Sequence, residues 1–358
     1  MQNLLRGLLR GPQGRHHLGF TRNISSSFSP RRRVLEHLQT RSLISVKGAD
    51  TLEFLQGLIT NDMRHLESTP SMYSLFLNTK GRVLYDTIIY RSKTPEAFLL
   101  EVDTAISQDL QRHLKMYKIR KKVDITLDPS TRVWAFFDED FDPENLKNLE
   151  KSKLEGKTVN FPCRSLEETP GEHLEDVSIF KDPRIPSLAM RVLSLQDVPR
   201  TEIMKRLLVE EDNEGINYKE FRYRLGIGEG VEDLPPGKAL PLEVNCDYLH
   251  GVSFHKGCYI GQELTARTHH TGVIRKRFMP LIFEEDPGGD VQTDENVLGD
   301  GGKAVGKIKG VQGRFGVGLV RIAEALGSER LTVLGKNVRA IKPFWWPVDS
   351  PKEKIISQ

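Results

Sequence analysis

Cys258 lies in Lys256-Gly257-Cys258-Tyr259-Ile260-Gly261-Gln262-Glu263, between two glycines, beside a lysine and just ahead of Gln262 to Arg267, a segment that reads as the opening of a helix. A neighbouring ammonium and a helix N-terminus both favour thiolate over thiol, the form of sulfur that attacks electrophiles and ligates metals. The glycines allow turn geometry that presents the sulfur on a loop. The opposing reading is a small apolar side chain buried in a tight turn, the commoner state of a free cysteine. His250, His255, His269 and His270 cluster nearby and offer a metal site together with Cys258, but no pair has the regular ligand spacing of structural zinc. His269-His270 before Thr271-Gly272 reads better as a turn that supports the cysteine loop. The other cysteines, Cys163 and Cys246, form no C-x-x-C pair with it, which argues against a disulfide framework.

The elements that must carry this loop follow from hydrophobic periodicity. Ser42 to Val46 reads as a short strand, followed by a helix through Leu52, Leu55 and Ile59 that closes at Thr60-Asn61-Asp62. Tyr73 to Leu77, Val83 to Tyr90 and Phe98 to Val102 are strands. Asp103 then caps a helix with Ile106, Leu110, Leu114 and Tyr117 on one face, and Val123, Ile125 and Leu127 close the unit. That order suggests an α+β sandwich of the ferredoxin-like kind. Its Lys115, Lys118, Arg120, Lys121 and Lys122 make a basic patch, either a solvated face or a rest for an acidic tail. Further on, a surface helix is expected over Asn145 to Leu154, a strand over Leu188 to Leu193, and helices over Glu202 to Glu210 and Tyr218 to Leu225. A Pro-rich linker leads from there to Cys258. No Gly-rich piece has the G-x-G-x-x-G context of a dinucleotide fold. After Thr271-Gly272, short strands at Arg277 to Phe283, Lys303 to Ile308, Phe315 to Val320, Leu331 to Leu334 and Val338 to Ile341 argue a small β-barrel, with Phe344, Trp345 and Trp346 packed across it.

The 358 residues carry a formal charge of +3, but residues 1 to 40 hold seven arginines, no lysine and one acid, Glu36. Removing their six net positive charges leaves −3 for the body, so a general basic footprint for nucleic acid is absent. Leucines between the first arginines, a serine cluster and scarce acid are the composition of a mitochondrial transit peptide, so residues 1 to about 40 are set outside the fold. A basic arm for nucleic acid or membrane surface is the alternative. No apolar run reaches the roughly 20 residues of a membrane span.

The octapeptide resembles the K-G-C-[FY]-[ITV]-G-Q-E signature of the YgfZ family, whose wider fold family includes the aminomethyltransferase of the glycine cleavage system. The resemblance covers nearly all of the chain after residue 40, with support from Phe54 to Asp62, Phe76 to Arg82 and Gly318 to Arg321. It implies an α+β, three-domain ring of ferredoxin-like α/β sandwiches and a C-terminal β-barrel. Its expected parts are a discontinuous first domain (41–67 and 129–268), a ferredoxin-like second (68–128) and the barrel (269–358). It also implies an iron-sulfur cluster assembly factor of the mitochondrial matrix, acting late in 4Fe-4S maturation. Cys258 would supply a ligand, and Lys256, Gly257, Tyr259, Gly261, Gln262 and Glu263 would form the signature loop. One thiolate cannot complete a stable cluster site, so the cluster is expected to be transient and shared with an A-type (ISCA-class) carrier, the protein being a monomer alone and a heterodimer with the carrier. The alternative is a tetrahydrofolate-dependent aminomethyl transferase or folate-binding protein, with Asn61, Asp86 and Arg224 lining the cavity. Against transfer, the family's Asp-Asp pair reads Tyr85-Asp86 here, and Arg-Leu-Glu-Ala-Gly reads Arg224-Leu225-Gly226-Ile227-Gly228. The acid-base equipment is therefore incomplete.

Overall fold

The computed structural model describes residues 33–139, 176–185, 188–207, 209 and 215–347. The helix expected over Asn145 to Leu154, residue Cys163 and the leader up to residue 32 lie outside the described residues. Three antiparallel assemblies make up the body. The first sheet runs β1 (Arg33–His37), β7 (Thr131–Asp138), β9 (Met190–Leu195), β8 (Val177–Lys181). The second runs β3 (Ser71–Leu77), β4 (Val83–Arg91), β5 (Ala97–Asp103), β2 (Arg41–Lys47), β6 (Asp124–Asp128). The third is a closed barrel in the order β10 (Lys276–Phe283), β13 (Phe315–Arg321), β12 (Ala304–Gln312), β11 (Asn296–Leu298), β14 (Leu331–Val333), β15 (Lys336–Ala340).

Strand β3 shows why the layers stack as they do. All seven of its residues are buried, and its alternation sorts them between two cores. Tyr73, Leu75 and Leu77 face a core shared with Ala135, Phe137, Phe221 and Phe278, whereas Met72 and Phe76 face one shared with Leu110 and Leu114. Those two leucines belong to helix α2 (Ser107–Lys118), which lies across β2 and β6. The aromatic end of the chain packs as expected: Trp346 is buried in the barrel core, and Trp345 Nε1 donates to Leu225 O at 2.9 Å.

Three differences from the sequence reading have physical causes. Residues 33 to 37, set aside with the arginine-rich leader, form β1 and pair with β7 along their length, and Val34, Leu35 and Leu38 are buried. The arginine run ends at Arg33, where the apolar pattern takes over, so the described fold already begins there. Strand β2, grouped by sequence with the 129–268 segment, pairs instead with β5 and β6. Its alternating Leu43 and Ile44 pack into different cores, which suits an interior strand of a sheet covered on both faces. Finally, the three-residue β11, too short to give a pattern, closes the barrel between β12 and β14.

Candidate functional site

Cys258 is exposed, one of two described cysteines, and the loop around it is fixed from below by three separate contacts. Helix α1 (Thr51–Gln56) runs on into the segment 57–62, and carbonyls of its last residue and of that segment turn towards Lys256. Lys256 Nζ donates to Gln56 O (2.6 Å), Ile59 O (2.7 Å) and Asn61 O (2.7 Å), which takes up all three of its protons. Desolvation lowers its ammonium to about 8. The lysine beside the cysteine therefore acts as a clamp on its loop.

A second contact joins Gly261 to the turn at Asn78 to Gly81. Gly261 has φ +79°, and a Cβ on it would stand 2.2 Å from Asn78 O and 3.2 Å from Gly81 Cα. Gly81, at φ +75°, would carry its own Cβ 3.0 Å from Gly261 O. Only glycine meets both the backbone sign and the space. Gly257, by contrast, has open space around it, so glycine is not sterically required there. In the third contact Asn61 Nδ2 donates to Tyr73 O (2.7 Å) and His250 O (2.8 Å), and Ile260 N donates to Gly57 O (3.2 Å). The three segments singled out in the sequence, 54–62, 76–82 and 256–263, thus meet at one place.

Within the loop, Tyr259 is buried under the backbone with Lys256 Nζ 5.0 Å from its ring centroid, and Tyr259 N donates to Gln262 Oε1 at 3.2 Å. Glu263 is exposed in the first turn of helix α3 (Gln262–Thr271), where a carboxylate complements the helix dipole. Asp62 also supports the site: its carboxylate binds Arg64 at 2.6 Å and Gln56 Nε2 at 3.1 Å, and these hydrogen bonds hold it well below the usual carboxylate range. Of the four histidines, His250 and His255 are exposed, and His269 and His270 lie in helix α3 and not in the turn expected for them. His269 stacks on Phe254 with ring centroids 3.5 Å apart, and His270 meets His269 edge-on. Among the described residues no group of three or more His, Cys, Asp and Glu is placed to hold a metal ion. Cys246 contrasts with Cys258: it is fully buried, and burial pushes its thiol well up.

Sequence reasoning missed a buried charge network. Arg41, Arg184, Arg191 and Arg222 interleave with Asp86, Glu101, Asp182, Glu229 and Asp233, all of them buried. Glu229 accepts from Arg191 at 2.5 Å and pairs with Arg184 at 2.7 Å. Burial alone would raise its carboxyl, but Arg191, Arg184, Arg41 and Arg222 hold it well below the usual range. Arg222 pairs with Asp233 at 2.9 Å, and Arg191 with Glu101 at 3.4 Å. The available signal was a charged residue inside an apolar strand, Glu101 in β5 and Arg191 in β9.

The residues expected to line a folate cavity are held by other protein groups. Asp86 pairs with Arg41 at 3.2 Å and accepts from Gly230 N at 3.1 Å. Arg224 binds Glu220 at 2.8 Å and Glu139 O at 3.1 Å, and Asn61 is engaged as described. Among the described residues no hydrogen bond or ion pair joins any two of the three. At Gly226, where the resemblance expects a carboxylate, φ is +74° and a Cβ would stand 2.5 Å from Pro280 Cδ. A glutamate has no room there.

Comparison with known proteins agrees with this architecture. Residues 35–138 match the GCVT N-terminal domain model, and residues 275–348 match the CAF17 C-terminal beta-barrel domain model. The chain is 38% identical over 332 residues to the mitochondrial iron-sulfur cluster assembly factor IBA57 of Mus musculus, covering 87% of this chain and 84% of that protein. Against the Homo sapiens protein of the same name it is 37% identical over 328 residues, covering 87% and 85%. The chain belongs to the IBA57 family. Among solved structures, the glycine cleavage system aminomethyltransferase T from Bartonella henselae matches with a TM-score of 0.64 at 17% identity, covering 88% of this chain and 87% of that one. This IBA57-family chain therefore has an aminomethyltransferase-like fold ending in a closed six-stranded barrel.

Proposed function

We propose that this protein is an iron-sulfur cluster assembly factor of the mitochondrial matrix, in which the Cys258 thiolate supplies one ligand to a transient cluster shared with an A-type carrier. The observation that carries this reading is an exposed thiol on a loop fixed by Lys256, Gly261 and Asn61. A ligand held in a fixed position loses little freedom on coordination, whereas one thiolate alone cannot enclose a cluster. The remaining ligands come from the carrier, and the cluster is cargo on its way to 4Fe-4S enzymes late in their maturation. The family relatives named mitochondrial support the location. The arginine- and serine-rich leader supports import, with cleavage ahead of β1 because that strand belongs to the core. Aminomethyl transfer is the weaker reading, since Asp86 is ion-paired and Gly226 excludes the second carboxylate.

The test is anaerobic mixing of the protein with an A-type carrier, iron and sulfide, followed by absorption and electron paramagnetic resonance spectroscopy. Cys258→Ser is expected to change stability by less than about 0.5 kcal/mol, as an exposed substitution does, and to abolish the shared-cluster spectrum. In the native protein Cys258 should alkylate readily and Cys246 should not. Unchanged cluster spectra from Cys258→Ser would overturn the thiolate-ligand mechanism.

A further inference from the structure

The basic stretch at the end of α2 has a feature that solvation leaves unexplained. Met116 is 67% exposed and Ile119 84%, the two most exposed large apolar side chains among the described residues. Ile119 also has φ +45° and ψ −104°, a backbone conformation that a β-branched residue rarely tolerates. At this position, just past a helix end, glycine or asparagine is what stability favours. The fold thus keeps an apolar side chain in solvent at a strained position.

The charge around it is one-sided. Residues 115 to 122 contain Lys115, Lys118, Arg120, Lys121, Lys122 and no acid. Lys121 pairs with Glu53 at 2.6 Å, Asp109 and Asp124 are taken by Arg112 and Lys47, Asp50 accepts from Lys122 N at 2.6 Å, and Glu96 lines the recess beside Lys122. The side chains of Lys115, Lys118, Arg120 and Lys122 have no carboxylate partner among the described residues. The opposite face of α2, through Leu110 and Leu114, is buried in the core, so the helix presents this end outward on a rigid support.

We infer that the end of α2 docks on an anionic lipid bilayer, with Met116 and Ile119 entering the headgroup boundary while the four cations meet lipid phosphates. Exposed apolar residues interspersed with cations along one short stretch are what such an interface accommodates. A bilayer presents an anionic layer and an apolar layer to any approach, which matches cations and apolar tips together; an acidic protein carrying its own apolar patch is the competing outcome of the test. This inference is independent of the chemistry proposed for Cys258.

The experiment is co-sedimentation of the full chain with vesicles of phosphatidylcholine and phosphatidylglycerol at 4:1, and with phosphatidylcholine alone. Because the arginine-rich leader adds its own attraction, the result is read as a difference between chains that share it. Each near-surface cation strengthens binding about fivefold. The quadruple variant Lys115→Gln, Lys118→Gln, Arg120→Gln, Lys122→Gln should therefore bind the anionic vesicles at least about 100-fold more weakly. Met116→Ser with Ile119→Ser should weaken binding about tenfold through lost apolar insertion, with the salt dependence unchanged. Circular dichroism of both variants should match the parent, since every altered side chain lies at the surface. Equal binding by all three chains would overturn the inference. So would a double serine variant that binds vesicles like the parent while polyglutamate competes fully, because the patch would then be a surface for acidic protein.

Discussion

The clamp under Cys258 and the network around Glu229 use charge in opposite ways. In the network four arginines interleave with five carboxylates in the interior, and the groups that could do acid-base work are held by neighbours. In the clamp a single ammonium grips three neutral carbonyls and leaves the adjoining sulfur open to solvent. A fold of the aminomethyltransferase type here carries an exposed thiol at the surface, while the charged groups of its interior are paired with one another. The prediction is that damage to the two regions should separate: the network should govern stability and the clamp should govern the thiol.

Three substitutions test that separation, in decreasing order of effect. Glu229→Gln removes the carboxylate between Arg184 and Arg191, and breaking a buried ion pair on one side costs about 3–5 kcal/mol. Urea denaturation should register that loss, while the alkylation rate of Cys258 in the native state stays unchanged. Lys256→Met deprives three carbonyls of their donor, for a loss of about 1–3 kcal/mol. Here the thiol should respond: faster hydrogen exchange in the loop 257–261 and an altered alkylation rate are expected, and an unaltered rate would break the contrast. Asp62→Asn has the smallest effect, and it depends on pH. The folded-state carboxyl lies below its ordinary value, so its contribution is present above the unfolded value and is lost as pH falls through the folded one. Thermal melts should place the variant a few degrees below the parent at pH 7, with the gap closing as the pH is lowered below about 4.

Much of the fold was legible because local pattern and tertiary role coincide. The barrel strands alternate between Gly-rich turns, and the α2 stripe of Leu110 and Leu114 does pack inward. Exposure of Cys258 followed from its turn context, and the left-handed backbone at Gly261 bore out the argument from glycine, whereas Gly257 did not. Other features depend on distance along the chain. Nothing local to Lys256 indicates that its partners are carbonyls at 56, 59 and 61, so the adjacent sulfur seemed its natural neighbour. Arg191 and Glu101 sit in strands whose apolar neighbours outweighed them, and their pairing needs two sheets to meet. Strand β1 lay next to a run of arginines that read as leader.

The clamp has a consequence for timing. Its hydrogen bonds span sequence separations of 195 to 200 residues, and contacts so distant form only after long stretches of chain have been brought together. A chain still emerging from a ribosome, or threading a pore in extended form, has Cys258 but no seat for it. The sulfur gains its fixed position only when the body has folded around it, so under the proposed function the ability to share a cluster is scheduled by folding itself.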